Sequence, residues 1–183
     1  MKTRNLILTA LFAALTAVGA FLKIPFPLSA ITLQFFFTAM AGVLLGPAWG
    51  AASQAVYVLL GLAGVPIFAL GGGLSYVFQP TFGFLAGLIP SAWVIGKLTE
   101  HRQSFAQIAL ACLAGLAVLY AVGVPYLALI ANVYLGKGLS LWQILRSGML
   151  IYLPGDALKI VCTALLCGKL LPALKKARAV SVR

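Results

Sequence analysis

From Asn5 to Leu22 the chain carries no charged side chain, and apolar runs of this kind recur along its length. Such runs restrict the fold severely. Where lipid is the solvent, every backbone N–H and C=O must find its partner inside the protein, which leaves helices or a closed barrel. The runs show no alternation of apolar and polar residues, so a barrel strand does not fit them. The chain is 63% hydrophobic and 8% charged. Soluble domains are about 45–50% apolar and about 25% charged. The expected fold class is therefore an all-α integral membrane protein, with residues 1–183 forming a single polytopic domain.

Six transmembrane helices are expected. They run from about Asn5 to Leu22, Ile31 to Leu45, Ala48 to Leu62, Thr81 to Gly96, Ser104 to Leu135 and Gly148 to Leu171. Spans two to four fall short of the roughly 20 residues that cross a bilayer. Their flanking loops should then dip into the protein. The fifth segment is too long for one straight crossing, and Gly123 and Pro125 should kink it. Lys2 and Arg4 before an apolar run, with Val18-Gly19-Ala20 behind it, resemble a signal peptide. The run continues through Phe21 and Leu22, and retention as a first span is expected.

Lysine and arginine set the orientation. Six spans place Lys2, Arg4, Lys97, Arg102, Lys169, Lys175, Lys176, Arg178 and Arg183 on one side. Lys23, Lys137 and Arg146 lie on the other, and Lys159 lies within a span. The richer side is the cytoplasmic one, so both termini should be cytoplasmic, in the plasma membrane. The net charge of +11 is explained by these segment ends and by contact with membrane lipid. It forms no basic stripe of the kind a nucleic-acid-binding module presents.

Two outer connections follow from this topology. One, Lys23 to Ala30, is stiffened by Pro25 and Pro27. The other, Gly64 to Pro80, is apolar for a loop in water and should fold back as a lid. It contains no lysine or arginine, so it can offer an anionic ligand no cation.

Few residues can carry chemistry. Glu100 and Asp156 are the two acids, and His101 is the lone histidine. Glu100 and His101 are neighbours in a cytoplasmic connection and read as a solvated loop. Asp156 lies inside the sixth span, where an ionisable group costs several kcal/mol and by default marks a functional site. Lys159 follows at i+3, so both side chains share a helical face about 5–6 Å apart. A self-neutralising structural pair and a ligand-facing pair are both open. Pro154 and Gly155, just before, should free backbone groups to line a cavity.

Ala10, Ala13, Ala14 and Ala17 form a small-residue face on the first span, suited to internal packing or to docking on another membrane protein. Gly42/Gly46 and Gly83/Gly87 have the same spacing and read as internal packing. Cys112, Cys162 and Cys167 match no metal motif and no disulfide framework. The Gly-Lys pairs at Gly96, Gly136 and Gly168 lack both the earlier glycine and the following Ser or Thr of a phosphate-binding loop. No cofactor or metal site is expected, and no enzymatic activity.

Taken in order, Pro25-Phe26-Pro27, Ile31-Thr32-Leu33-Gln34, Leu44-Leu45-Gly46-Pro47, Leu60-Gly61-Leu62-Ala63-Gly64-Val65-Pro66, Gly71-Gly72-Gly73, Gln79-Pro80-Thr81-Phe82-Gly83 and Pro154-Gly155-Asp156-Ala157-Leu158-Lys159 resemble the BioY family. These are the biotin-binding S-components of energy-coupling factor (ECF) transporters. The resemblance covers nearly the whole chain. It implies a six-helix fold, a biotin pocket near the outer face, and partners: a transmembrane coupling protein and two ATPase subunits. It also implies that the first-helix alanines dock on the coupling protein. Biotin's ureido group sets a C=O beside two N–H groups, which suits Asp156 as acceptor and Lys159 as donor. Gln79, Thr81, Gly72 and Gly73 are expected to close over the ligand or meet its carboxylate. Asn132, Gln34 and Tyr152 are further expected lining residues, and Phe26 and Tyr76 are expected to cover the thiophane ring. The alternative is a stand-alone secondary transporter of a small vitamin-like solute, which would work in liposomes without ATPase partners.

Overall fold

A computed structural model of the chain describes residues 2–25 and 30–180. Seven α-helices follow in order: α1 Lys2–Phe21, α2 Gln34–Leu45, α3 Pro47–Leu62, α4 Phe82–Leu98, α5 Phe105–Leu129, α6 Leu141–Leu145 and α7 Leu153–Val180. A small antiparallel pair, β1 Lys23–Pro25 and β2 Ala30–Thr32, joins α1 to α2, with Lys23 opposite Thr32. Three segments are long and apolar enough to cross a membrane: Thr3–Phe21, Phe105–Tyr134 and Leu141–Pro172. Gln34–Leu45 and Phe82–Leu98 are shorter apolar helices.

Each helix begins and ends for a local reason. Gly46, at φ +82°, turns the chain between α2 and α3. Pro47 then opens α3, where its missing N–H has no partner to lose. Ser104 caps α5 by accepting from the Gln107 backbone N–H at 3.3 Å. Ser140 and Gln143 form a reciprocal capping box on α6.

The helices approach closely where glycine permits it. A Cβ on Gly42 would lie 2.7 Å from the Ala92 carbonyl oxygen, and one on Gly83 would lie 2.3 Å from the Tyr126 side chain. These glycines pack α2 on α4 and α4 on α5. Gly46 has open space around it and turns the chain rather than packing.

The last third of the chain is broken into more pieces than its apolar runs suggest. α5 stays helical through Gly123 and Pro125 and ends in a π-type turn, Ile130–Tyr134. A second π-type turn, Arg146–Leu150, follows α6. The helical run before α7 is interrupted at Ile151 and Tyr152, not at Pro154 and Gly155. Pro154 falls in the first turn of α7, where proline costs nothing. The break therefore leaves Asp156 in the opening turn of α7.

The connection 63–81 folds back over the helices, as its apolar composition requires. Phe68 is 1% exposed and Tyr76 is 4% exposed. The Phe68 ring fills the space beside Gly61, where a Cβ would come within 2.1 Å of it. Tyr57 of α3 meets the same ring edge-on at 5.5 Å, and Tyr76 packs against it at 4.7 Å. The Tyr57 hydroxyl donates to the Ile67 carbonyl at 3.0 Å. The Tyr126 hydroxyl donates to the Val77 carbonyl, and the Lys23 ammonium to the Ala69 carbonyl. The lid is thus tied to β1, α3 and α5.

Candidate functional site

Under this lid lies a cavity enclosing about 720 Å³ of atom-free space, counting its open mouth. α2 and its approach supply Thr32, Gln34 and Phe35, and the lid supplies Ala69, Leu70 and Tyr76. Thr81, Phe84, Leu85 and Leu88 come from α4 and its start, and Leu119 and Tyr120 from α5. Tyr152, Asp156 and Lys159 complete the wall. The lining is mostly apolar, with polar groups gathered in two places.

The first is the acid–amine pair. Asp156 Oδ1 accepts from Lys159 Nζ at 2.7 Å, and Asp156 Oδ2 accepts from the Tyr120 hydroxyl. Asp156 is 4% exposed and Lys159 is 8% exposed. The carboxylate also sits in the first turn of α7, where unpaired N–H groups favour negative charge. Each carboxylate oxygen keeps a lone pair, and the ammonium keeps two further protons. The pair is neutral as a unit yet still able to accept and donate. A buried ion pair rarely stabilises a fold relative to apolar packing, so its place on a cavity wall points to a ligand.

The second polar place is Gln34. Its amide donates to the Tyr57 hydroxyl at 2.9 Å, and its carbonyl oxygen accepts from Thr32 Oγ1 at 2.9 Å. Gln34 is held at both ends, with the remaining amide proton unassigned. Nearby, Thr81 Oγ1 donates to the Tyr76 hydroxyl at 3.4 Å.

Of the residues singled out in the sequence, Gln34, Tyr76, Thr81, Tyr152, Asp156 and Lys159 meet at this cavity. Gln79, Gly72, Gly73 and Asn132 do not line it. Gln79 is exposed, and its backbone N–H is bonded to the Tyr76 carbonyl at 2.9 Å. Gly72 and Gly73 shape the lid: Gly73 has φ +100°, and its N–H reaches the Gly61 carbonyl at 2.7 Å. Asn132 closes a loop on itself, exchanging two hydrogen bonds with the Leu139 backbone. Phe26 lies outside the described residues.

The alanine face of α1 is divided: Ala13 and Ala17 are buried within the chain, while Ala10 and Ala14 are exposed. Tyr120 carried no signal in the sequence. It is one aromatic residue in a long apolar helix, and only the packing of α5 on α7 brings it to Asp156.

A helical membrane protein with a fixed polar grip inside a mostly apolar, lidded cavity is a protein built to hold a small solute. Residues 1–176 match the family model described as the BioY family. The chain is 42% identical to the "Probable biotin transporter BioY" of Lysinibacillus sphaericus, over 99% of this chain and 93% of that protein. It is 37% identical to the "Biotin transporter BioY" of Thermotoga maritima, over 91% of this chain and 95% of that protein. The fold is similar to a crystal structure of the S-component for biotin from an ECF-type ABC transporter. That likeness has a TM-score of 0.81 at 27% identity and covers 93% of this chain and 92% of that one. This chain belongs to the BioY family.

Proposed function

We propose that this chain captures biotin from the outer side of the plasma membrane and hands it inward with an ATP-driven partner module. It acts as a transport subunit, not as an enzyme. In this reading it is one membrane unit that crosses the bilayer six times, with both termini in the cytoplasm. Spans two, three and four are the shorter helices α2, α3 and α4, and α6 with α7 forms the last crossing.

The observation that carries the reading is the Asp156–Lys159 pair on the cavity wall, with donor and acceptor capacity left over. A ureido ring presents an N–H and a C=O side by side. Asp156 accepts from the N–H and Lys159 donates to the oxygen. Gln34 offers its remaining amide proton, and Tyr76 and Phe84 cover the apolar ring face. The chain has no phosphate-binding loop of the Gly-Lys-Ser/Thr type, so the energy comes from a coupling protein and two ATPase subunits. The exposed alanines, Ala10 and Ala14, give the coupling protein a close approach to α1.

Biotin binding by the purified protein tests this. Asp156→Asn should weaken affinity at least tenfold, which corresponds to about 1.4 kcal/mol. Unchanged affinity, in a variant that melts as a folded protein, would remove Asp156 from the binding site.

A further inference from the structure

The cavity has an unbalanced charge problem. Biotin is a carboxylate at neutral pH, whereas the charged wall residues, Asp156 and Lys159, cancel each other. The lid from Gly64 to Pro80 contains no lysine or arginine. Yet one cation reaches it from elsewhere. Lys23, on β1, extends its ammonium to the carbonyl oxygen of Ala69. Ala69 and its neighbour Leu70 are wall residues of the cavity. Lys23 is not itself a wall residue, but it holds the stretch of lid that is. It is exposed, and no described acid pairs with it: Asp156 pairs with Lys159, and Glu100 pairs with Lys97 at the end of α4.

We infer that Lys23 is the cation that receives the anionic tail of the ligand, and that the same ammonium fastens the lid. This rests on the biotin-capture reading above. An ammonium has three protons. One is committed to Ala69, and two remain for a carboxylate arriving at the mouth. A carbonyl and a carboxylate can share one ammonium, so tail binding adds a bond without opening the lid. An exposed cation beside the cavity wall also suits a tail that stays partly in water. Lys23 thus sets specificity for an acid tail, and Asp156 with Lys159 sets specificity for the ring.

The test compares biotin with biotinamide, which keeps the rings and chain but lacks the charge. Dissociation constants are measured on the full-length purified protein for wild type, Lys23→Gln and Lys23→Arg. Wild type should prefer biotin, and Lys23→Gln should reduce that preference at least fivefold. Lys23→Arg should restore it, and added salt should erode it in wild type but not in Lys23→Gln. Equal weakening of both ligands in Lys23→Gln would overturn the inference, leaving Lys23 as a lid tether alone. An unaltered preference would overturn it too. If wild type prefers biotin and Asp156→Asn abolishes binding, the capture reading stands whichever way Lys23 behaves. If wild type binds neither ligand, the capture reading fails and takes this inference with it.

Discussion

The Tyr120 hydroxyl donates to the carboxylate of Asp156 across a sequence separation of 36 residues, joining α5 to α7. That bond fixes which way Asp156 faces. With Lys159 on Oδ1 and Tyr120 on Oδ2, the carboxylate cannot rotate without breaking a bond.

Tyr120→Phe removes this donor and keeps the ring. Hydrogen bonds to charged groups contribute about 1.5–3 kcal/mol. We expect biotin affinity to fall about tenfold, read by calorimetry, and Tm to fall with it, because a buried acceptor loses its donor. Unaltered affinity would show that Lys159 alone orients the acid.

The Asp156–Lys159 pair should matter more to binding than to folding. Removing one partner of a buried pair costs about 3–5 kcal/mol, whereas replacing both by apolar residues is often neutral. Lys159→Met should lower Tm clearly. Asp156→Leu combined with Lys159→Met should recover most of that loss while leaving biotin unbound. A double variant no more stable than the single would contradict this.

The other i,i+3 ion pair provides a contrast. Lys97 and Glu100 meet at 2.8 Å, with their side chains 56% and 40% exposed. The Lys97 ammonium, by hydrogen bond and charge, holds the Glu100 carboxyl below its usual range. A lowered carboxyl adds stability above its ordinary pKa and loses it as pH falls through the lowered value. Exposure and salt screening make that contribution small. Glu100→Gln should leave Tm and biotin affinity unaltered, and a clear shift in either would contradict this.

The lid depends on the gap beside Gly61. Gly61→Ala would set a methyl 2.1 Å from the Phe68 ring, so the ring must leave its seat. Chymotrypsin should then cut at Phe68 in the variant while sparing it in wild type. Equal protection in both proteins would mean that α3 shifts to accommodate the methyl.

On α1, position decides the outcome. Ala14 is exposed, so Ala14→Trp should block co-purification with the coupling protein and leave Tm unaltered. Ala13 is 5% exposed, and a tryptophan there overpacks the interior, at a cost of about 1–3 kcal/mol or more. Ala13→Trp should lower Tm. If both variants assemble, α1 is not the docking helix.

Much of this was legible in the sequence because lipid leaves a chain few options. The apolar runs mark α1 to α4 to within a few residues, whereas Gly46 reads as a packing glycine and is instead the α2–α3 turn. Asp156 and Lys159 stood out because charge is rare inside an apolar run. Other features needed the third dimension. Periodicity puts four alanines on one side of α1, yet α2 and α3 cover two of them. Pro154 looked like a helix breaker and is instead a helix starter, because the chain had already turned at Ile151 and Tyr152. Asn132 looked available for a ligand until Leu139 came round to meet it. Tyr120 and the Lys23–Ala69 link depend on contacts between segments far apart in sequence, which no local pattern encodes.

The seat of Phe68 beside Gly61 has a kinetic consequence. To release a trapped molecule outward, the lid must withdraw a fully buried ring, and exposing such a side chain costs about 1.5–3 kcal/mol. Each 1.4 kcal/mol is a factor of ten, so backward escape slows by roughly one to two orders of magnitude relative to an uncovered cleft. On the proposed capture function, the cap acts as a timer that lengthens the stay of whatever the cavity holds.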